Sequence, residues 1–190
     1  MNRRSGGALV ALGLVAALML ASGLAAGQSS AADATPPPAA TMWTEIRWPF
    51  RIDEWGTGRA FACKAVDCGS DMALYLRVKA GSCNCATGVA DDDDLDRVAD
   101  LALFSDSFVG LAAGRPVAVD DMAGRSRPYQ VSLPLWRSQT AVGMVLHAKC
   151  DALVATVVAD RDRLAAAERN ALAFLNAAPV LRWARTELGS

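Results

Sequence analysis

The sequence predicts an α+β domain in which an antiparallel sheet is covered by helices on both faces and a disulfide staples an N-terminal hairpin. Three observations predict it. Several segments alternate apolar and polar residues, as Met72, Leu74, Leu76 and Val78 do against Tyr75, Arg77 and Lys79. That period of two marks a strand with one buried face. The later segments are joined by connections of hairpin length, which makes neighbouring strands antiparallel. Stretches with apolar residues at three- and four-residue spacing stand before and after the strand run, and helices so placed would cover the faces of the sheet.

Taken in order, residues 1–25 read as a secretory signal peptide. Arg3 and Arg4 precede an apolar run over residues 8–20, and Gly23 and Ala25 supply small side chains for cleavage after Ala25. The run is shorter than the roughly 20 apolar residues of a membrane span. No cysteine lies beside it to accept a lipid, so no stable membrane anchor is expected after cleavage. Residues 26–41 are rich in Ser, Ala and Pro, with three consecutive prolines and no apolar periodicity, and read as a linker. A single domain is expected over residues 42–190.

The domain opens with a tryptophan-rich segment in which Pro49 argues against a central strand and Gly56 and Gly58 mark a turn. Paired strands are predicted over 59–65 and 72–80, around the turn AVDCGSD. A helix is predicted from Asp92 to Phe104, with Asp91 as N-cap and Asp92–Asp94 in its first turn, where carboxylates oppose the positive end of the helix dipole. A second short helix over 106–113 would end at Gly114-Arg115-Pro116. Strands follow over 116–119, 127–133, 141–148 and 152–158. The last of these, ALVATVV, is nearly continuous in apolar residues and suits burial on both faces. Lys149-Cys150-Asp151 turns the final hairpin. A helix over 161–174 and a last one opened by Pro179 close the chain.

The order of strand, helix, strand run and helix over roughly residues 95–185 resembles PsbP-like α/β/α domains, small extracytoplasmic modules that mostly bind partners. The resemblance implies a binding role. The cysteine-rich front half departs from that pattern.

Charge narrows the partners. The chain carries 19 Lys+Arg and 20 Asp+Glu. Cleavage after Ala25 removes only Arg3 and Arg4, leaving 17 basic against 20 acidic side chains and a formal charge of −3. Without a basic excess, nucleic acid is not an expected partner. An unknown protein or small ligand is.

The five cysteines are Cys63, Cys68, Cys83, Cys85 and Cys150. In a periplasmic or secreted protein they meet an oxidising space in which disulfides persist. Five is odd, so one stays free or links two chains into a dimer. Cys63–Cys68 is the most local pair, across the first hairpin turn. Cys68 is not expected to reach Cys83, because a strand at about 3.3 Å per residue carries the chain away. A Cys83–Cys85 bond would be strained. The preferred alternative pairs one of them with Cys150. In the competing reading, Cys83-x-Cys85, with Cys150 and His147, forms a copper(I) or thiol-exchange site. Otherwise no cofactor is expected, and His147 is expected to face solvent.

Other candidates are weaker. Asp91–Asp94 do not match an EF-hand, because Arg97 and Leu103 stand where glycine and glutamate are required. Trp43, Trp48 and Trp55, with Arg47 and Arg51, form a candidate aromatic and basic binding surface, although packing over the sheet is the simpler role for the indoles. Arg77 and Lys79 are expected on a solvated strand face. No nucleophile elbow, zinc-protease pair, phosphate loop or dinucleotide fingerprint is present, so no catalytic residue is assigned. The functional expectation is an exported, non-catalytic binding or accessory domain, with a thiol-redox or copper-handling protein as the alternative.

Overall fold

A computed structural model describes residues 39–105, 107–132 and 138–189. The expected signal peptide and most of the linker lie outside these residues, as does Leu133. The elements run α1 (Ala39–Met42), β1 (Thr44–Ile46), β2 (Arg59–Cys63), α2 (Ala65–Cys68), β3 (Met72–Lys79), α3 (Asp92–Val98), β4 (Phe108–Gly110), β5 (Arg115–Val119), β6 (Met122–Ser132), β7 (Ser138–Ala148), β8 (Asp151–Ala159), α4 (Leu164–Leu175) and α5 (Ala178–Glu187). Among the described residues the eight strands form one antiparallel sheet, in the order β1-β2-β3-β8-β7-β6-β4, with β5 also paired to β6. No helix among them is long and apolar enough to cross a membrane.

The local patterns produce most of this. Arg59 pairs with Leu76 and Cys63 with Met72 across the first hairpin. Lys149 turns the last hairpin with φ 58°, and β7 and β8 pair from Ala148↔Asp151 to Thr140↔Ala159. β8 lies between β3 and β7, which explains its unbroken apolar run. Alternate residues of it join different clusters. Leu153, Ala155 and Val157 pack with Leu74, Leu76, Met144, Leu146 and the α4 residues Ala171 and Phe174. Ala152 and Val154 pack with Val145, Tyr129 and the α3 residues Leu95 and Val98. Burying each large aliphatic side chain contributes roughly 1.5–3 kcal/mol.

Several elements differ from expectation. The predicted helix from Asp92 starts as expected, with the Asp91 carboxylate accepting the Asp94 N–H at 2.9 Å. It stops at Val98, because Ala99 is extended (ψ 145°), and a 3-10 turn covers Asp100–Leu103. The break turns Asp100 inward, and Lys79 Nζ donates to the Val98 carbonyl at 2.8 Å. A cation there satisfies a terminal carbonyl and opposes the negative end of the helix dipole. Within the predicted helix over 106–113, whose first residue lies outside the described residues, Phe108–Gly110 is instead the edge strand β4, paired to Tyr129–Val131. The end of the presumed linker is part of α1, which lies against α4.

The largest correction concerns Arg77 and Lys79. They are 3% and 7% exposed rather than solvated. Asp100, 5% exposed, takes Arg77 Nη2 at 2.5 Å and Nε at 3.0 Å, and Lys79 Nζ at 2.7 Å. Asp53 takes the remaining Arg77 Nη1 at 2.6 Å. The alternation in β3 is real, but its polar face meets buried counter-charges in place of water. The acidic run also does more than cap α3. Asp92 accepts the Gly114 N–H at 2.9 Å and Arg125 Nη2 at 2.7 Å, and Asp96 takes Arg127 at 2.9 Å. These bonds tie α3 to β6.

Candidate functional site

The cysteines form two disulfides, Cys63–Cys68 and Cys85–Cys150, which suggest an oxidising compartment. Cys63–Cys68 bridges the end of β2 to α2 in the first hairpin turn. Cys85–Cys150 joins the segment after β3 to the tip of the β7–β8 hairpin. Cys83 is free and buried, and its N–H donates to the Cys150 carbonyl at 3.0 Å. Burial pushes its thiol pKa up, away from the thiolate.

This pairing bears on the four-residue metal set. With Cys85 and Cys150 bonded to each other, neither offers a thiolate, and no group of three or more His, Cys, Asp or Glu among the described residues is placed to hold a metal. His147 is not solvated as expected. It is half-buried beneath Gly88, where an added Cβ would come within 2.3 Å of the imidazole Cδ2. Gly88 also has φ 62°, so both backbone and space require glycine there.

The tryptophans separate. Trp43 is buried against Phe174, with centroids 5.6 Å apart. Trp48 packs edge-on to Phe50 at 5.1 Å, and Phe50 meets Tyr75 and Phe104 at 5.0 and 4.9 Å. These two indoles pin the N-terminal segment to the fold. Arg47 and Arg51 are exposed and line none of the cleft described next. Trp55 alone of the set reaches that cleft.

β3 runs past the start of β2, because Arg59 pairs with Leu76 while β3 continues to Lys79. The loop 53–58 lies along the edge so exposed. An Asp53 side chain accepting the Trp55 N–H at 2.9 Å shapes the loop, and Gly56 N–H closes on the Asp53 carbonyl at 2.9 Å. Arg77 then holds Asp53 from the buried network, and its hydrogen bond keeps the Asp53 pKa below the usual carboxylate value. Gly58 permits the close approach: a Cβ there would stand 2.3 Å from the Leu76 carbonyl oxygen and 2.6 Å from Trp48.

The result is a cleft of about 500 Å³ lined by Glu54, Trp55, Thr57, Gly58, Arg59, Val78, Ala80, Trp183 and Glu187. Its two indoles come from opposite ends of the domain and are both half-buried. Each has a cation of the chain over its ring: Lys79 Nζ lies 5.6 Å from the Trp55 centroid, and Arg59 Cζ lies 5.3 Å from that of Trp183. Both cations are neutralised, Lys79 by Asp100 and Arg59 by Glu45 at 2.5 and 2.8 Å. The hydrogen bond from Arg59 in turn lowers the Glu45 pKa. Glu54 and Glu187 have no hydrogen-bond or ion-pair partner among the described residues.

Trp183 and Glu187 were missed at the sequence level. They sit in the last helix, remote from the tryptophan cluster at the N-terminus of the domain. Their only sequence signal is a tryptophan next to Arg182 and two residues before Arg185, on a helix whose buried side is Val180 and Ala184. A second cleft, of about 520 Å³ at the other end of β3, is lined by Asp71, Gln130, Gln139, Thr140 and Arg161 among others and has no aromatic ring in its lining. Comparison with models of known protein families and with curated proteins finds no match for this chain, so the chemistry of the site rests on its geometry.

Proposed function

We propose that this protein is an exported, periplasmic or secreted binding domain that acts without catalysis and takes its ligand in the Trp55–Trp183 cleft. One observation carries the reading. Two half-buried indoles flank a cleft of ligand size, at a place where the buried ion network fixes the loop that carries one of them. Concave sites with aromatic walls and a few polar groups are the usual form of small-ligand sites. The same reading takes α4 and α5 as cover for one face of the sheet, and α3 with the turn after it as cover for the other. The strand ends and edges then remain for recognition. Titration of the oxidised protein with a panel of small organic cations, anions, saccharides and peptides, followed by tryptophan emission and calorimetry, tests it. At least one class should bind wild type and lose affinity tenfold or more in Trp183→Ala. Absence of any Trp183-dependent binding across the panel refutes the cleft as the site.

A second reading is supported by the backbone contact of the free Cys83 with the disulfide-bonded Cys150, whose carbonyl accepts the Cys83 N–H. A Cys83 thiolate attacking Cys150 Sγ would form Cys83–Cys150 and release Cys85 as the thiolate, a balanced exchange with no outside oxidant. Burial works against it by keeping Cys83 protonated. Copper handling would first require reduction of Cys85–Cys150. Disulfide mapping after incubation at pH 8.5 separates these readings: a stable Cys85–Cys150 bond supports the binding domain, and a mixture of isomers supports exchange.

A further inference from the structure

We infer that the cleft recognises a small organic cation: an alkylammonium head group held between the indoles with a short apolar tail on Val78 and Ala80. The inference rests on the cleft being the binding site and specifies its ligand. The argument is one of charge and surface. Indole faces attract cations through the ring quadrupole, most strongly when both are desolvated. This chain already places one cation over each of the two rings, so both indoles stand where cations are held. Each of those two cations is paired with a carboxylate, Lys79 with Asp100 and Arg59 with Glu45, so they add no net positive charge to bind an anion. What remains unbalanced at the cleft is negative: the carboxylates of Glu54 and Glu187, both exposed and both without a partner among the described residues. They come from the loop 53–58 and from α5, the same two segments that supply the indoles.

A bare metal ion would leave the indoles unused, and a neutral sugar would leave both carboxylates without a counter-charge. An anion meets repulsion. An alkylammonium ion uses all four groups, and its hydrocarbon part covers the apolar side chains of the cleft. The head group could belong to a free small molecule or to a lysine side chain on a peptide. A volume of about 500 Å³ is that of a small-ligand site, which favours the free ion.

The test uses the full oxidised domain and defined probes: choline, butyltrimethylammonium, the neutral isostere 3,3-dimethyl-1-butanol, acetate, methyl glucoside and a trimethyllysine pentapeptide. Butyltrimethylammonium should bind at least tenfold more tightly than the neutral isostere, and the binding should weaken as salt rises. Glu54→Gln and Glu187→Gln should each weaken it threefold or more. Both side chains are exposed and partner-free, so these variants keep the fold. Trp183→Ala should abolish binding. Equal affinity for the isostere, or no effect of either glutamine variant, overturns the inference. Binding of the glucoside or acetate alone, sensitive to Trp183→Ala, overturns it while leaving the cleft as a binding site. Silence from every probe overturns both. Tighter binding of the peptide than of the free ions keeps the head-group chemistry and overturns the free-ion source.

Discussion

Replacing Asp100 by asparagine removes the charge that holds Arg77 and Lys79 together inside the protein. Asp100 is buried and accepts from both cations at 2.5–3.0 Å. In the variant Arg77 keeps Asp53, and Lys79 keeps only the Val98 carbonyl. Breaking a buried ion pair by deleting one partner costs about 3–5 kcal/mol, because the other charge is left desolvated. The retained Asp53 bond places the expected loss near the lower end, about 3 kcal/mol. For a domain of this size that lowers Tm by roughly 10 °C. Urea unfolding of the oxidised protein, followed by far-ultraviolet circular dichroism and tryptophan emission, reads the loss. Asp93→Asn is the control, since Asp93 is exposed in the first turn of the preceding helix α3 and its removal changes a dipole interaction worth under about 1 kcal/mol. The triple change Arg77→Met, Lys79→Met, Asp100→Leu should recover most of the stability, because it leaves no buried charge unpaired. Loss within about 1 kcal/mol of wild type for Asp100→Asn, the size of a surface change, would refute the view that this network is desolvated and structural. The network also carries the Trp55 loop, so the variant should weaken any cleft ligand even when folded.

The two disulfides should differ in worth. Cys85–Cys150 spans 65 residues and Cys63–Cys68 spans 5, so the chain-entropy model gives about 4 kcal/mol for the first and about 2 for the second. Cys83→Ser/Cys85→Ser and Cys63→Ser/Cys68→Ser, compared by urea midpoint, check the order, and the double changes prevent Cys83 from taking over Cys150. Thiol labelling of wild type should find no fast-reacting group in the native state and one in urea, since Cys83 is 8% exposed with its pKa raised; a fast native thiol would favour the exchange reading. Asp53 predicts an acid dependence. Its folded pKa is depressed by the Arg77 hydrogen bond, so its stabilising share is complete above the unfolded value of about 3.9 and is lost as pH falls through the folded one. The stability gap between wild type and Asp53→Asn should therefore narrow as pH falls below about 4, and a gap that stays unchanged well below that pH contradicts the pairing.

Short-range features were legible in the sequence. The first and last hairpins, the aspartate cap of α3, the central burial of ALVATVV and the proline start of α5 depend on residues close in the chain. So does the Cys63–Cys68 bond, whose partners face each other across one turn. Cys150 was expected to find a partner after β3, but the choice between Cys83 and Cys85 was open, because the chain there curves through the Asn84–Gly88 bridge and no period describes a curve. The cleft was a third legible: Trp55 stood out, Glu54 and Arg59 stood among many charges, and Trp183 and Glu187 carried no mark of belonging with them.

The sequence by itself determined the long strands, the start of α3, the two C-terminal helices and the hairpin turns, since periodicity, caps and breakers act over a few residues; the end of α3 and the edge strand β4 it did not. Only the tertiary structure decided that β3 pairs with β8, that Arg77 and Lys79 meet Asp100 in the interior, and that Trp55 and Trp183 line one cleft. Those outcomes depend on which surfaces meet after collapse. A buried cation and a solvated one occupy the same position in an alternating strand, and the counter-charge that separates them arrives from elsewhere in the chain.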